Sequence, residues 1–125
     1  MISVAITAQI AVALGLMHII FTMRVGGYRL KNEISLGDGG DAELLRRMRG
    51  HGNFVETVPM ALMLILINEL NGLGDTFLCA LGVVLVLARL GHYFSIVSKM
   101  PFLLRPVCMV STLGVILVAS IALLF

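Results

Sequence analysis

The sequence predicts an all-α membrane protein, a four-transmembrane-helix bundle forming a single domain over residues 1–125. Three observations carry this. Of the 125 residues, 59% are hydrophobic and only 13% are charged, against about 25% charged in a soluble domain. A soluble chain this short keeps much of its surface in water, so this much apolar side chain needs a lipid-facing surface to occupy. The apolar residues also gather in four segments, separated by polar connections whose basic residues alternate between rich and absent.

The first segment, Met1 to Met23, carries no formally charged side chain and matches the length of about 20 residues that crosses a hydrocarbon core. No basic region precedes it and no small-residue cleavage pattern follows it. It therefore reads as a retained helix and not a signal peptide. His18 within it reads as a packing residue that finds a carbonyl or hydroxyl. Arg24 ends the segment and opens a polar connection, Arg24 to Gly40, containing GGYRLKNE and the turn-forming run GDGG at Gly37–Gly40.

Asp41 is a suitable N-cap for the second helix, and Glu43 sits in its favourable first turn. From Ala42 to Asn71 the one strong breaker is Pro59, and Asn71-Gly72 marks a stop. A helix of about 30 residues is roughly 45 Å long, so its basic first part must project beyond the hydrocarbon. Thr76 to Val97 forms a third apolar segment interrupted by Arg89 and His92, and Pro106 to Phe125 forms an uncharged fourth. Cys79 and Cys108 lie inside apolar runs with no partner at metal-ligand spacing, so both read as small core residues and no disulfide framework or metal site is implied.

Four spans put both termini on one side. The first connection and its flanks hold Arg24, Arg29, Lys31, Arg46, Arg47 and Arg49, and the third holds Lys99 and Arg105. The second, around Gly72–Asp75, has no basic residue. The positive-inside rule then places the first and third loops in the cytoplasm and both termini outside.

Ionisable residues at membrane depth are expensive and are functional candidates by default. Glu56, Arg89 and His92 fall in this class, with Arg49, Asn53 and Arg105 near the edge. At about 100° per residue, Arg46, Arg49, Asn53 and Glu56 share an arc of about 80° on the second helix. Arg89, His92 and Ile96 share a face of the third. One reading is an intramembrane Glu56–Arg89 pair with Asn53 as an interhelical hydrogen-bond link. That pair leaves Arg24, Arg46, Arg49 and Arg105 without carboxylates in the same zone. Such an excess suits an anionic ligand held by forked hydrogen bonds, or anionic lipid headgroups.

The stretch from Arg46 to Gly72, with Arg49-x-x-x-Asn53-x-x-Glu56-x-x-Pro59 at its centre, resembles the family of membrane-associated proteins in eicosanoid and glutathione metabolism (MAPEG). LGDGG at Leu36–Gly40 is similar to the first-loop sequence of short bacterial members. Ala88-Arg89-x-x-His92 is similar to the family's third helix, and Arg105 lies where the family places an arginine at the start of the fourth. The resemblance implies a trimer in a bacterial inner membrane, with glutathione as co-substrate bound between subunits near the cytoplasmic face. It implies that Arg49, Asn53 and Glu56 hold glutathione, with Arg24 on a carboxylate and Arg89 and His92 lining the site. It also implies that Arg105 is the catalytic residue, favouring the glutathione thiolate. That role has a physical basis, because a nearby cation lowers a thiol's pKa and the thiolate is the nucleophile.

Several positions depart from the pattern. Ile96 and Met109 stand where the family's eicosanoid enzymes have tyrosines, Thr57 replaces a second-helix tyrosine, and Tyr93 falls off the common face. The resemblance therefore implies a glutathione-dependent transferase or peroxidase for lipophilic electrophiles and argues against eicosanoid synthesis. The alternative is a non-catalytic relative that binds an anionic ligand or lipid headgroup. A small four-helix transporter ranks behind both, since Met1–Met23 lacks the carboxylate such a transporter needs. The expected partners are further copies of the chain, the bilayer and a lipophilic small molecule, with no nucleic acid.

Overall fold

The computed structural model describes residues 4–98 and 100–125. Met1, the start of the first apolar segment, and Lys99, one of the basic residues assigned to the third loop, lie outside the described residues. Among the described residues four helices are long and apolar enough to cross a membrane: α1 (Ala5–Lys31), α2 (Ala42–Leu70), α3 (Asp75–Val97) and α4 (Leu104–Ala122).

The buried residues of α1 are Thr7, Ile10, Leu14, Met17 and Phe21. Their alternating spacing of three and four is the seam of antiparallel helix packing. Cys108, Thr112, Val115 and Ala119 make the same seam on α4. Both helices show a single buried stripe and present Val12, Leu16, Leu113 and Leu117 outward, as lipid-facing helices should. By contrast α3 is buried on two faces, through Leu78, Leu81, Leu85, Ala88, Arg89, His92, Tyr93 and Ile96. Helices α2 and α3 each pack on all three others, while α1 and α4 occupy opposite corners and share no packing among the described residues.

Both ends of the α1–α2 pair are fastened by polar groups. At the α2 start, the Asp41 carboxylate accepts from the backbone N–H groups of Glu43 at 2.8 Å and Leu44 at 2.9 Å, the capping the sequence predicts. Tyr28 donates its hydroxyl to Asp41 at 3.0 Å. Arg47 lies over the Tyr28 ring at 4.5 Å, pairs with Glu43 at 2.7 Å and donates to the Arg24 carbonyl at 3.1 Å. At the other end the Glu69 carboxylate accepts from the N–H groups of Ile6 at 2.9 Å and Thr7 at 2.8 Å. Those are two of the donors a helix start leaves free.

The helix ends differ from the sequence reading in particular places. Helix α1 does not end at Arg24 but continues through the two following turns to Lys31. A basic residue does not break a helix, and the Tyr28–Asp41 and Arg47–Arg24 bonds hold the extension against α2. Helix α4 begins at Leu104, two residues before Pro106, which puts the proline in the first turn where its missing N–H is harmless. The α2 stop falls where expected, with Asn71 as cap and Gly72 at φ +83°. Cys108 is buried, but Cys79 is exposed on the outer face of α3 and is not a core residue. His18 is exposed too. Its ring stands 5.3 Å from that of His51 and 6.1 Å from Phe54, and the nearby Thr22 hydroxyl bonds to His51 at 3.0 Å instead.

Candidate anion cleft between the second, third and fourth helices

Arg89 organises the polar interior. The residue is 1% exposed, and its side chain reaches across the bundle from α3. Nη1 donates to Asn53 Oδ1 at 2.7 Å and to Thr57 Oγ1 at 3.0 Å on α2. Nη2 donates to the Cys108 carbonyl of α4 at 3.3 Å. That carbonyl also accepts from Thr112 at 3.0 Å, while the Arg89 Nε has no partner. One guanidinium thus ties three helices together through neutral acceptors.

This arrangement corrects the Glu56–Arg89 pair. Glu56 is exposed on the outer face of α2 and forms no ion pair among the described residues. The 80° arc drawn from helical periodicity is real, but the centre of the buried face of α2 runs through Gly50, Phe54 and Val58. Asn53 and Thr57 flank that line on the Arg89 side; Glu56 is carried past the rim. Asn53 does act as the interhelical link.

Beside the Arg89 network opens a cleft of about 470 Å³ lined by Arg49 and Asn53 from α2, His92 and Ile96 from α3, and Phe102, Arg105, Pro106 and Met109 from the α4 approach. Four of the ligand-binding and catalytic candidates from the sequence therefore meet, Arg49, Asn53, His92 and Arg105, together with Ile96 and Met109. Arg89 stands behind them and orients Asn53. Arg24 does not join them. Its guanidinium lies 5.7 Å from the Tyr93 ring centre, on the α1 side of α3. Tyr93 is off the cleft as well, stacked on Phe21 at 3.6 Å and packed against Gly50.

The cleft combines two guanidinium groups, an amide and an imidazole with a wall of Ile96, Phe102, Pro106 and Met109. Its volume lies within the roughly 300–1,000 Å³ range of small-molecule sites. Arg105 occupies the first turn of α4, whose N-cap Leu103 supplies no side-chain hydrogen bond, so helix dipole and guanidinium both favour negative charge there. Sequence reasoning missed Thr57 as an Arg89 partner and Phe102 as a wall. The spacing of Thr57 four residues after Asn53 was a usable signal for the first. Phe102 sits in a connection that periodicity does not place.

The chain matches the MAPEG family over residues 7–125. It is similar to inner membrane protein YecN from two strains of Escherichia coli, K12 and O6:H1, at 37% identity over 89 residues. The match covers 71% of this chain and 68% of theirs.

Proposed function

The chain belongs to the MAPEG family, and from that premise we propose that it is a glutathione-dependent membrane transferase or peroxidase acting on lipophilic electrophiles, assembled as a homotrimer in a bacterial inner membrane. The observation that carries this reading is the convergence of Arg49, Asn53, His92 and Arg105 on one cleft with an apolar wall. Glutathione presents two carboxylates, an ammonium and a thiol, and the donor set fits it. Arg49 offers a fork to a carboxylate, Asn53 presents an amide held in place by Arg89, and Arg105 stands with the uncapped α4 start where a thiolate would be stabilised. In conjugation the thiolate sulfur bonds to the electrophilic carbon, and the leaving group departs with its electron pair. Ile96, Phe102, Pro106 and Met109 receive the apolar substrate and keep water from the sulfur.

In the proposed trimer Glu56 meets a neighbouring subunit and binds glutathione there, and Arg24 serves a carboxylate from the α1 side. The loop charges support cytoplasmic first and third loops, with both termini outside.

Calorimetry of glutathione with detergent-purified protein tests the reading. Saturable binding in the micromolar-to-millimolar range is expected, lost in Arg49→Ala. Arg105→Ala should retain binding while losing the thiolate ultraviolet absorbance of bound glutathione. No binding heat at high ligand concentration would sink the enzyme reading.

A second reading is favoured by one observation: Ile96 and Met109, at the family's tyrosine positions, both line the cleft. On this reading the cleft binds an anionic ligand or lipid headgroup without chemistry. Glutathione binding without turnover of any electrophile or hydroperoxide would select it.

A further inference from the structure

A second cleft, of about 590 Å³, lies at the far end of α1 and is lined by Gly26, Arg29, Leu30, Glu33, Ile34 and Ser35. It shares no lining residue with the cleft that holds Arg105. Arg29 is poorly satisfied there. Its Nη2 reaches only the thioether of Met48 at 3.3 Å, a weak acceptor, and its buried Nη1 has no partner.

Glu33 is unusual for its conformation. It follows the α1 cap residue Asn32 and adopts φ +56°, the one non-glycine positive φ among the described residues. Ile34 N–H closes this turn on the Arg29 carbonyl at 3.1 Å. Glycine is the usual occupant of such a position, and another side chain is strained there. Glu33 forms no ion pair with Arg29 or with any other described residue. A cation and a carboxylate thus line one cleft without neutralising each other.

The level in the bilayer is fixed by α1 itself. Arg29 lies six residues beyond Met23, about 9 Å along the axis at 1.5 Å per residue. The headgroup layer occupies roughly 5–8 Å outside the hydrocarbon on each side, so the Arg29 backbone stands at its outer edge and the long side chain reaches back into it. Leu30 lines the cleft and Leu36 follows its lining residue Ser35 in the chain; they are 84% and 86% exposed, which is apolar surface for acyl chains to cover.

We propose that this cleft binds the headgroup of a zwitterionic phospholipid carrying a primary ammonium. Arg29 and the Ser35 hydroxyl take the phosphate, Glu33 takes the ammonium, and Leu30 and Leu36 meet the acyl chains. The strained glutamate is kept for its carboxylate, which glycine lacks. The proposal does not depend on the glutathione reading.

The test is lipid retention by native mass spectrometry of the detergent-purified protein. It is titrated with phosphatidylethanolamine, phosphatidylglycerol and phosphatidylcholine of identical acyl chains, and with soluble phosphoethanolamine. Wild type should hold phosphatidylethanolamine about tenfold more tightly than the other two lipids, the worth of one charge-assisted hydrogen bond. Phosphatidylcholine offers Glu33 no N–H donor, and phosphatidylglycerol offers no cation. Glu33→Gly should abolish the preference while raising the thermal midpoint, because glycine relieves the backbone. Arg29→Gln should weaken retention of all three lipids. Competition by phosphoethanolamine as strong as by the lipid would overturn the lipid assignment in favour of a free phosphate ester. Equal retention of the three lipids, or a preference that survives Glu33→Gly, would overturn the site.

Discussion

Replacing Asn53 separates two views of the bundle interior: that Arg89 is a charge held by neutral groups, or that it is an ordinary packing element. Asn53→Leu removes the 2.7 Å acceptor from the Arg89 Nη1 and leaves Thr57 Oγ1 as its one remaining partner. A hydrogen bond to a charged group is worth about 1.5–3 kcal/mol. Neutral interhelical bonds in membranes average about 0.6 and reach about 1.7 kcal/mol. A loss near 2 kcal/mol or more therefore marks a charged donor. Asn53→Asp keeps the shape and adds a counter-charge. At about 4 Å and an effective dielectric near 20, the attraction is about 4 kcal/mol, offset by several kcal/mol for desolvating the carboxylate. The expected net change is within about 1 kcal/mol of wild type. Stability is read by unfolding in mixed micelles with sodium dodecyl sulfate, followed by far-ultraviolet circular dichroism, since the chain has no tryptophan. If Asn53→Asp proves as destabilising as Asn53→Leu, Arg89 does not carry its charge at this position and the network described above is wrong. Glutathione binding should weaken in both variants: Asn53→Leu loses the amide, and the carboxylate introduced by Asn53→Asp repels the ligand's own.

Two further expectations follow from the packing and the cap. A Cβ added at Gly50 would stand 2.9 Å from Tyr93 Cδ2, and that ring is pinned by Phe21 at 3.6 Å. Overpacking of about 1–3 kcal/mol then exceeds the helix-propensity gain of about 1 kcal/mol, so Gly50→Ala should destabilise; combining it with Tyr93→Leu should remove the effect in the same unfolding assay. The backbone N–H of Leu44 holds the Asp41 carboxyl below the ordinary carboxylate range; burial opposes it, and Tyr28, the Glu43 N–H and Arg46 add to the lowering. A depressed carboxyl contributes stability that is fully present above the unfolded value of about 3.9 and is lost as pH falls through the folded value. Asp41→Asn should flatten that acid limb of the stability profile without changing its neutral plateau relative to other cap substitutions.

The fold was legible because its signals are local. Four apolar segments needed only length and hydropathy, Asp41 declared the α2 start, and Asn71-Gly72 its end. The α1 extension was not legible, because Arg24 looks like a membrane boundary while the helix is sustained by Tyr28 and Arg47, whose partners are distant in sequence. The same division holds at the cleft. Periodicity brought Arg49 and Asn53 to one face, and His92 and Ile96 to another. It could not decide that Asn53 would face Arg89 while Glu56, about 60° round the helix, would pass outside. That choice belongs to the interhelical contact of Gly50 with Tyr93, which fixes the rotation of α2 about its axis. Phe102 depended on the path of a connection, which carries no periodic signal.

The Glu69 carboxylate has a consequence for how the chain is made. During synthesis the start of α1 emerges before α2, with Ile6 and Thr7 lacking acceptors for their N–H groups. The group that satisfies them arrives only with the last turn of α2. A lone first helix is therefore incompletely capped, and it gains its partner when the second has crossed the bilayer beside it. With Asp41, Tyr28 and Arg47 closing the opposite end, residues up to Leu70 make a hairpin latched at both ends before α3 and α4 are needed. This division predisposes the chain to enter the bilayer as two successive hairpins, the second docking on the first through Arg89.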